Sequence, residues 1–170
     1  MPGKIRGLLI ACLCAVVLCA AGLLLCFPGC QSPEQAYAEF VRPDRECAED
    51  QMMDPLILAG ECVVPIVLRH VENPDMPRRR YAIHFLGNVG SRDALPILER
   101  LLWDSSERDY IRGDALQAIA MIDLQRGQSL ARECAKGDGY LAYIAREVLA
   151  EDKQLLEKRS YDDALNERHD

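Results

Sequence analysis

The sequence has few of the side chains from which catalytic and metal sites are built. It contains three histidines in 170 residues. None of them stands at a suggestive spacing from a second histidine or from a serine or cysteine nucleophile. Glycine-rich phosphate loops, G-x-S-x-G turns and H-E-x-x-H pairs are also missing from the sequence. We therefore predict a protein that is not an enzyme and that uses no cofactor and no metal.

Positive charge is scarce beyond the N-terminus. Lys4 and Arg6 are the basic residues of the first thirty positions, and the rest of the chain carries 18 basic and 27 acidic side chains, a net charge of −9. A nucleic-acid surface requires clustered Lys and Arg, so no nucleic-acid partner is predicted. The roughly 140 residues after the N-terminal segment are enough for one domain that buries about two-thirds of its unfolded surface.

The eight cysteines do not form a disulfide framework when they are placed along the chain. Five of them lie within the first thirty residues, and only Cys47, Cys62 and Cys134 follow. These three show no C-x-x-C or Cys/His ligand spacing, so a zinc site is not predicted. An oxidising compartment would permit a Cys47–Cys62 disulfide, and the alternative is that both are buried helix residues.

The N-terminal segment is the longest apolar run. Residues 7–27 carry no charge, and as a helix they span about 31 Å, the thickness of a bilayer core. A charged stretch before an apolar run is the pattern of a secretion signal. Because Lys4 and Arg6 precede the run, the positive-inside rule keeps the N-terminus in the cytoplasm and places everything after residue 30 outside.

The end of this run resembles a bacterial lipoprotein signal. It reads Phe27-Pro28-Gly29-Cys30, and in that family a small residue precedes the cysteine that takes the lipid. The resemblance implies a signal over residues 1–30, an acyl chain such as palmitate on Cys30, and a location in the bacterial cell envelope. An uncleaved membrane-spanning helix is the alternative. In either case the soluble domain lies on the periplasmic side of the membrane that anchors it.

A spacer helix is predicted over residues 31–47. Ser32 and Gln35 have the spacing of a capping box, and Pro33 suits the first helical position. The helix ends before Pro43. From Asp44 to residue 59 we predict a helix that Pro55 interrupts, closed by a glycine.

A repeat of 30–33 residues follows. Ala82, Ala115 and Ala145 are spaced by 33 and 30 residues, and each is part of an apolar stripe with helical periodicity. A period of this length with two helices indicates stacked helical repeats. We therefore predict an all-α fold, with these alanines buried where neighbouring helices approach closely, and a polar C-terminal cap or tail over residues 153–170.

The repeats carry a recognisable set of motifs. Ala94-Leu95-Pro96-Ile97-Leu98 opens a first helix, Asp104 follows it, Ile111-Arg112-Gly113-Asp114-Ala115 opens a second helix, and Leu86-Gly87 ends one. This stretch resembles the short HEAT-like repeats of the phycobilisome-lyase type. The resemblance implies a short α-solenoid of about three helix pairs over residues 48–152. It also implies that Arg79 and Arg112 bind loop carbonyls or loop aspartates, with Asp75 and Asp104 as partners.

A partner surface follows from the same resemblance, since the second helices of such repeats line a concave face. A helical wheel places one set of side chains outward on this face. These are Arg80, Tyr81, His84, Asn88, Asp114, Gln117, Met121, Tyr143 and Glu147. Tyr, Arg and Met are enriched at protein interfaces, so another protein is the predicted partner.

The predicted function is that of a membrane-tethered interaction module in the envelope, a HEAT-like scaffold or adaptor lipoprotein. Two alternatives remain open at this point. One is a structural lipoprotein without a specific partner. The other, prompted by the lyases that name the repeat type, is a lyase-like enzyme or an accessory subunit of an enzyme.

Overall fold

The structure is a computed structural model that describes residues 32–166, and over this range it is helical without a strand. The predictions for the apolar N-terminal run and for Cys30 lie outside the described residues. An all-α fold built from helix pairs is confirmed.

The first described helix begins as its sequence predicts. Helix α1 (Pro33–Val41) has Ser32 at its N-cap, and the Gln35 N–H donates to Ser32 Oγ at 3.2 Å. The Ser32 N–H donates to Gln35 Oε1 at 3.1 Å, which completes the capping box. The helix is capped at its C-terminus by Arg42, directly before Pro43.

The prediction of a helix from Asp44 onward is wrong in its details. A 3₁₀ turn covers Glu49–Gln51, and helix α2 covers only Asp54–Ala59. Pro55 stands in the first turn of α2 rather than interrupting a longer helix, because proline is tolerated where its missing N–H would have no helical partner. Gly60, with φ of 64°, closes α2 as predicted.

Three helix pairs stack after this point. The first pair is α3 (Val64–His70) with α4 (Arg79–Val89), the second α5 (Leu95–Trp103) with α6 (Asp109–Ile122), and the third α7 (Leu124–Cys134) with α8 (Tyr140–Leu149). Helix α6 packs against both neighbouring second helices and also against α5 and α7. This is the nearest-neighbour packing of a solenoid over the second and third pairs, with α6 at its centre, whereas in the first pair α4 packs more closely against α2 than against α3.

The alanines that mark the repeat are fully buried, as their spacing predicts. Ala82, Ala115 and Ala145 each have 0% exposure. The second helices come close enough that a Cβ on Gly87 of α4 would lie 2.8 Å from the Cα of Ala118 on α6. A larger residue at these positions would push the helices apart, so small residues set the spacing of the stack.

The C-terminal segment folds back along the stack. Glu151 takes a left-handed conformation, with φ of 54°, immediately after α8. The chain then passes through turns and non-helical residues to helix α9 (Tyr161–Asn166), which packs against α2. Ala164 of α9 is fully buried and joins the hydrophobic core. The segment predicted as a polar cap or tail therefore contacts the first helices of the domain rather than only the last repeat.

The three cysteines of the described region are free thiols, so Cys47 and Cys62 are not paired. Cys62 is exposed, and Cys47 lies in an irregular segment before the 3₁₀ turn. The prediction that both are buried helix residues is therefore wrong for each of them. The fully buried side chains of this part of the chain are instead those of Leu56, Val63 and Val67.

One described stretch, Glu49–His70, is long and apolar enough to pass a test for a membrane span based on length and composition alone. In the folded chain this stretch consists of short helices that are broken at Gly60, and part of it is buried in the core. Core helices of soluble domains pass the same test, so the observation is weak evidence for a span.

Candidate functional site

Arg79 and Arg112 bind main-chain carbonyls at equivalent places in successive repeats. Arg79 Nε donates to the Val71 carbonyl at 2.6 Å, just after α3, and Arg112 Nε donates to the Leu102 carbonyl at 2.9 Å, near the end of α5. Each guanidinium thereby satisfies a carbonyl that a helix C-terminus leaves without a partner. This is the contact that the resemblance to HEAT-like repeats implies.

The predicted carboxylate partners of these arginines are wrong. Arg79 forms two bonds with Glu107 of the following repeat, at 2.9 and 2.5 Å, and Asp75 accepts none of its bonds. Asp104 instead accepts the N–H and the hydroxyl of Ser106 in its own turn. These short-range bonds lower the pKa of the Asp104 carboxyl, and the charges of the two arginines contribute less. The loop aspartate therefore shapes the turn rather than pairing with the arginine.

A buried carboxylate lies at the centre of the second-helix face. Asp114 on α6 has 0% exposure and receives donors from three sides. Arg80 binds it with two nitrogens, at 2.7 and 3.1 Å. The Tyr140 hydroxyl donates to Asp114 Oδ1 at 3.1 Å, and His84 Nε2 lies 3.3 Å from the same oxygen. The cluster joins α4, α6 and α8, so it ties the second helices of all three pairs together.

Two residues of α6 hold Tyr140 in place. The carboxylate of Asp109 accepts the main-chain N–H groups of Tyr140 and Leu141 at 2.6 and 3.1 Å, which caps the first turn of α8. Gly113 leaves room for the tyrosine ring, since a Cβ there would lie 2.6 Å from a ring carbon. The glycine and the aspartate therefore bring the hydroxyl of Tyr140 within reach of Asp114.

The donors keep Asp114 ionised. Burial alone would raise the pKa of the Asp114 carboxyl, but the hydrogen bonds and charges of His84 and Arg80 outweigh it and lower the pKa below its usual value. Burial and the neighbouring carboxylate raise the pKa of Tyr140 to about 12, so the phenol stays protonated and donates. The hydrogen bond to Asp114 also raises the pKa of the Arg80 guanidinium.

The structure contradicts the outward placement of Asp114 and Gln117. Asp114 is fully buried and Gln117 is 9% exposed. The wheel assumed that one side of α6 faces solvent, whereas residues 113–120 of this helix are all buried. Other second helices flank α6, first helices cover its front, and the C-terminal segment covers part of the remaining side.

Asn88 and Gln117 bind the C-terminal segment. The Gln117 side-chain amide donates to the Leu155 carbonyl at 2.6 Å. Asn88 donates to the Arg159 carbonyl at 2.9 Å and accepts the Arg159 N–H at 2.7 Å. Part of the face predicted to bind a partner is therefore occupied by the chain itself.

The rest of the predicted face remains accessible to different degrees. Tyr143 is 51% exposed, and Arg80 is also exposed. Tyr81 and His84 are half-buried and line a cleft of about 420 Å³ with Glu49, Asp50 and Met53. Two further predicted residues, Met121 and Glu147, are half-buried.

The guanidinium of Arg80 lies over two tyrosine rings. Its guanidinium carbon lies 5.2 Å from the ring centroid of Tyr110 and 5.7 Å from that of Tyr140. The rings of Tyr140 and Tyr143 are 6.4 Å apart. We call Arg80, Tyr110, Tyr140 and Tyr143 the aromatic patch. It lies where the N-terminal turns of α4, α6 and α8 adjoin.

The residues predicted for the second-helix face do not include Tyr110, Tyr140 or Arg159. Tyr110 and Tyr140 each stand in the first turn of a second helix, at 30 residues' spacing. This spacing matches the repeat period, and it was a usable signal. The contact of Arg159 with Asn88 joins residues 71 positions apart and follows no repeat.

The Asp114 cluster lacks the parts of a nucleophilic site. Its neighbours within hydrogen-bond distance are Arg80, His84 and Tyr140, and none is a serine, cysteine or lysine held by the histidine. In the described region, no three His, Cys, Asp or Glu side chains are grouped as metal ligands. The cluster is arranged to hold three helices together around one charge.

Comparison with known proteins supports the architecture. The family model for HEAT repeats matches residues 59–150, which includes α3 to α8. No curated protein and no solved structure matches the chain. HEAT repeats generally form scaffolds for protein–protein interaction, and such repeats are typically not enzymes. The match extends over more than half of the sequence and agrees with the observed helix pairs, and on these grounds the chain belongs to the HEAT-repeat family.

Proposed function

We propose that this protein is a membrane-tethered scaffold or adaptor of the bacterial envelope, which binds another protein through the aromatic patch. The observation that carries the proposal is that the patch stays accessible while the C-terminal segment covers Asn88 and Gln117 of the same face. Tyr143 is half exposed beside Tyr140, and the guanidinium of Arg80 lies over two tyrosine rings. Tyrosine and arginine are the residue types that most often dominate binding energy at interfaces.

Tethering rests on the N-terminal sequence. Lys4 and Arg6 before an uncharged run, with Gly29-Cys30 at its end, support export and attachment of a lipid to Cys30. One acyl chain gives weak and reversible membrane binding, so stable attachment requires more than one chain or the apolar run itself. On either route the HEAT domain is on the periplasmic side.

Mass spectrometry of the mature N-terminus tests the tether. We expect an acylated fragment that begins at Cys30, and we expect a Cys30→Ser variant to lack the acyl mass. An unmodified fragment that begins at Met1 would refute lipidation and support an uncleaved anchor. Cys134, which is not near the N-terminus, provides the matched control substitution Cys134→Ser, which leaves the acyl mass unchanged.

Cross-linking in cells tests the interaction surface. A photoreactive residue at Tyr143 should give discrete adducts with another protein, and the same residue at Trp103 serves as the control. Trp103 is 45% exposed but ends a first helix, α5, rather than lying on a second helix. An Arg80→Ala, Tyr143→Ala double variant should recover less of the same partner in a pull-down. Equal recovery, or equal adducts from both positions, would refute the patch as the binding surface.

The two alternatives have distinct consequences. A structural lipoprotein without a specific partner would give no discrete adduct from Tyr143. A lyase-like enzyme would need substrate-binding and acid–base groups in an open site, whereas an accessory subunit would itself act by binding another protein. In the described region, the best grouped titratable side chains surround Asp114, which is fully buried and already receives donors from Arg80, His84 and Tyr140. We therefore favour a binding role over a catalytic one.

A further inference from the structure

The C-terminal segment after α8 runs back across the second helices toward the start of the domain. Leu155 lies at Gln117 of α6, Arg159 lies at Asn88 of α4, and α9 packs against α2. The segment thus crosses the repeats in reverse order. Between the turn that ends near residue 156 and the start of α9, residues 157–160 have no helical structure of their own.

Three of the polar contacts to this segment are made to its main chain. The Gln117 amide binds the Leu155 carbonyl, and Asn88 binds both the carbonyl and the N–H of Arg159. A side-chain amide that donates to the carbonyl of one residue and accepts its N–H, as Asn88 does at Arg159, contacts the main chain whatever the side chains are. These two residues therefore select a backbone conformation and not a sequence.

Asp54 recognises a side chain. Its carboxylate binds the Arg159 guanidinium with two contacts, at 2.7 and 3.2 Å, and Asp54 is only 3% exposed. A buried carboxylate is costly without a cation, and the two-point geometry suits a guanidinium in particular. Any other segment that took this place would regain the pair only if it presented an arginine at the same position.

The segment is held by few buried groups. Of residues 152–166, Ala164 alone is buried, while Leu155, Leu156 and Arg159 are half-buried. Segments with few buried apolar contacts open more readily than core helices. The Asp54–Arg159 ion pair is then the main contact that has to be exchanged. Asp54, Asn88 and Gln117 lie on α2, α4 and α6, and these helices contribute to the hydrophobic core, so we expect the three side chains to keep their places when the segment leaves.

We propose that Asp54, Asn88 and Gln117 form a binding groove for an arginine-bearing peptide segment of another protein, and that residues 152–160 are the intramolecular ligand that occupies it until such a segment displaces them. This inference rests on the proposed role in protein binding. It assigns a second surface, separate from the aromatic patch, and it states which chemistry the groove accepts. Residues 152–160 compete with the peptide of the other protein from within the same chain.

A labelled peptide tests the groove without knowledge of the natural partner. The probe is a fluorescent peptide with the sequence of residues 152–166, added to the full chain in detergent micelles and followed by fluorescence anisotropy. A tethered ligand competes at an effective concentration in the millimolar range. An Arg159→Ala chain, whose own segment binds weakly, should therefore bind the probe at least about tenfold more tightly than the wild-type chain.

Two matched controls separate the groove from unspecific binding. A second substitution, Asn88→Ala, in the Arg159→Ala chain should remove the gain, because it takes away the contact with the peptide backbone. A probe in which the residue corresponding to Arg159 is alanine should bind the Arg159→Ala chain at least about tenfold more weakly than the original probe, because it offers no cation to Asp54. Equal affinities of the wild-type and Arg159→Ala chains, or equal binding of the two probes, would overturn the proposal.

A measurement on the unmutated chain covers the case in which a variant does not fold. In a ¹⁵N-labelled wild-type chain, the amide signals of Leu155 and Arg159 should move toward free-peptide positions when excess unlabelled probe is added. Unchanged signals at saturating probe would also overturn the proposal. Neither assay involves Tyr143. The proposal for the groove can therefore be refuted while the proposal for the aromatic patch is confirmed, and the patch can be refuted while the groove is confirmed.

Discussion

Replacing Asp114 with asparagine would remove the charge that joins the three second helices while keeping the side-chain volume. Arg80 would lose two charge-assisted bonds, and Tyr140 would lose its acceptor or find an amide N–H in its place. Breaking a buried ion pair by removing one partner typically costs about 3–5 kcal/mol. The Arg80 side chain is 44% exposed, so water still solvates it after the substitution. We therefore expect the free energy of unfolding to fall by about 2 kcal/mol.

Thermal unfolding followed by circular dichroism measures this loss. For a domain of this size, about 2 kcal/mol corresponds to a fall in Tm of roughly 6 °C at pH 7. Asp138→Asn is the matched control, since Asp138 is exposed. A difference between the two variants below about 0.5 kcal/mol would refute the view that the cluster stabilises the stack.

The same variant predicts a pH dependence with a defined sign. The pKa of Asp114 is lowered in the folded chain, so the folded state binds this proton less tightly than the unfolded state. The stabilisation is fully present above the unfolded pKa of about 4 and is lost as the pH falls through the lower folded value. The gap in stability between the wild type and Asp114→Asn should therefore narrow below about pH 4, and a gap that widens there would contradict the assignment.

Three further substitutions test the packing of the stack, each by the change in free energy of unfolding. Ala115→Glu places a charge in the tightest part of the stack and should cost several kcal/mol, whereas Ala38→Glu at an exposed position of α1 should cost less than about 0.5 kcal/mol; similar values would refute the repeat register. Gly87→Ala should destabilise by about 1–3 kcal/mol despite its better helix propensity, because the new methyl group meets the backbone of the next second helix, while Gly137→Ala has room and should be neutral. Arg79→Met removes a buried bidentate pair and a carbonyl contact and should cost about 3 kcal/mol, and a neutral result would show that this pair does not stabilise the fold.

The architecture could be predicted because it is repeated locally. The stack buries one small residue at a corresponding place in each repeat, so alanines recur with its period at Ala82, Ala115 and Ala145, and all three are fully buried. The arginine contacts to helix-end carbonyls recur for the same reason, at Arg79 and Arg112. A feature that every repeat needs leaves a periodic signal in the sequence.

The details of the candidate site could not be predicted in the same way. A helical wheel treats a helix as having one covered side, but α6 is surrounded, and its Asp114 is buried because donors arrive from two other helices. The carboxylate partner of Arg79 proved to be Glu107, which belongs to the loop before α6 of the next repeat. These contacts depend on how repeats sit on one another, which local sequence does not encode.

The return of the C-terminal segment depends on contacts that occur once. Arg159 pairs with Asp54 across 105 residues, and no periodic pattern relates the two positions. An isolated long-range ion pair has no signature in a single sequence. The aromatic patch lies between these cases. Tyr110 and Tyr140 follow the repeat period, but their contacts with Arg80 depend on how the second helices adjoin.

Amide hydrogen exchange along the folded chain is the most direct test of the central claim, that helix pairs stack in one row with α6 in the middle. Amides that open only by global unfolding exchange most slowly, and these belong to the elements with the most buried contacts. If α6 lies in the middle of the stack, the slowest exchange is expected in residues 111–120 of α6, faster exchange in α1, and the fastest exchange in residues 152–160. Amide exchange in α6 that is as fast as in α1 would contradict the stacked arrangement of the helix pairs, and with it the proposed aromatic patch and groove.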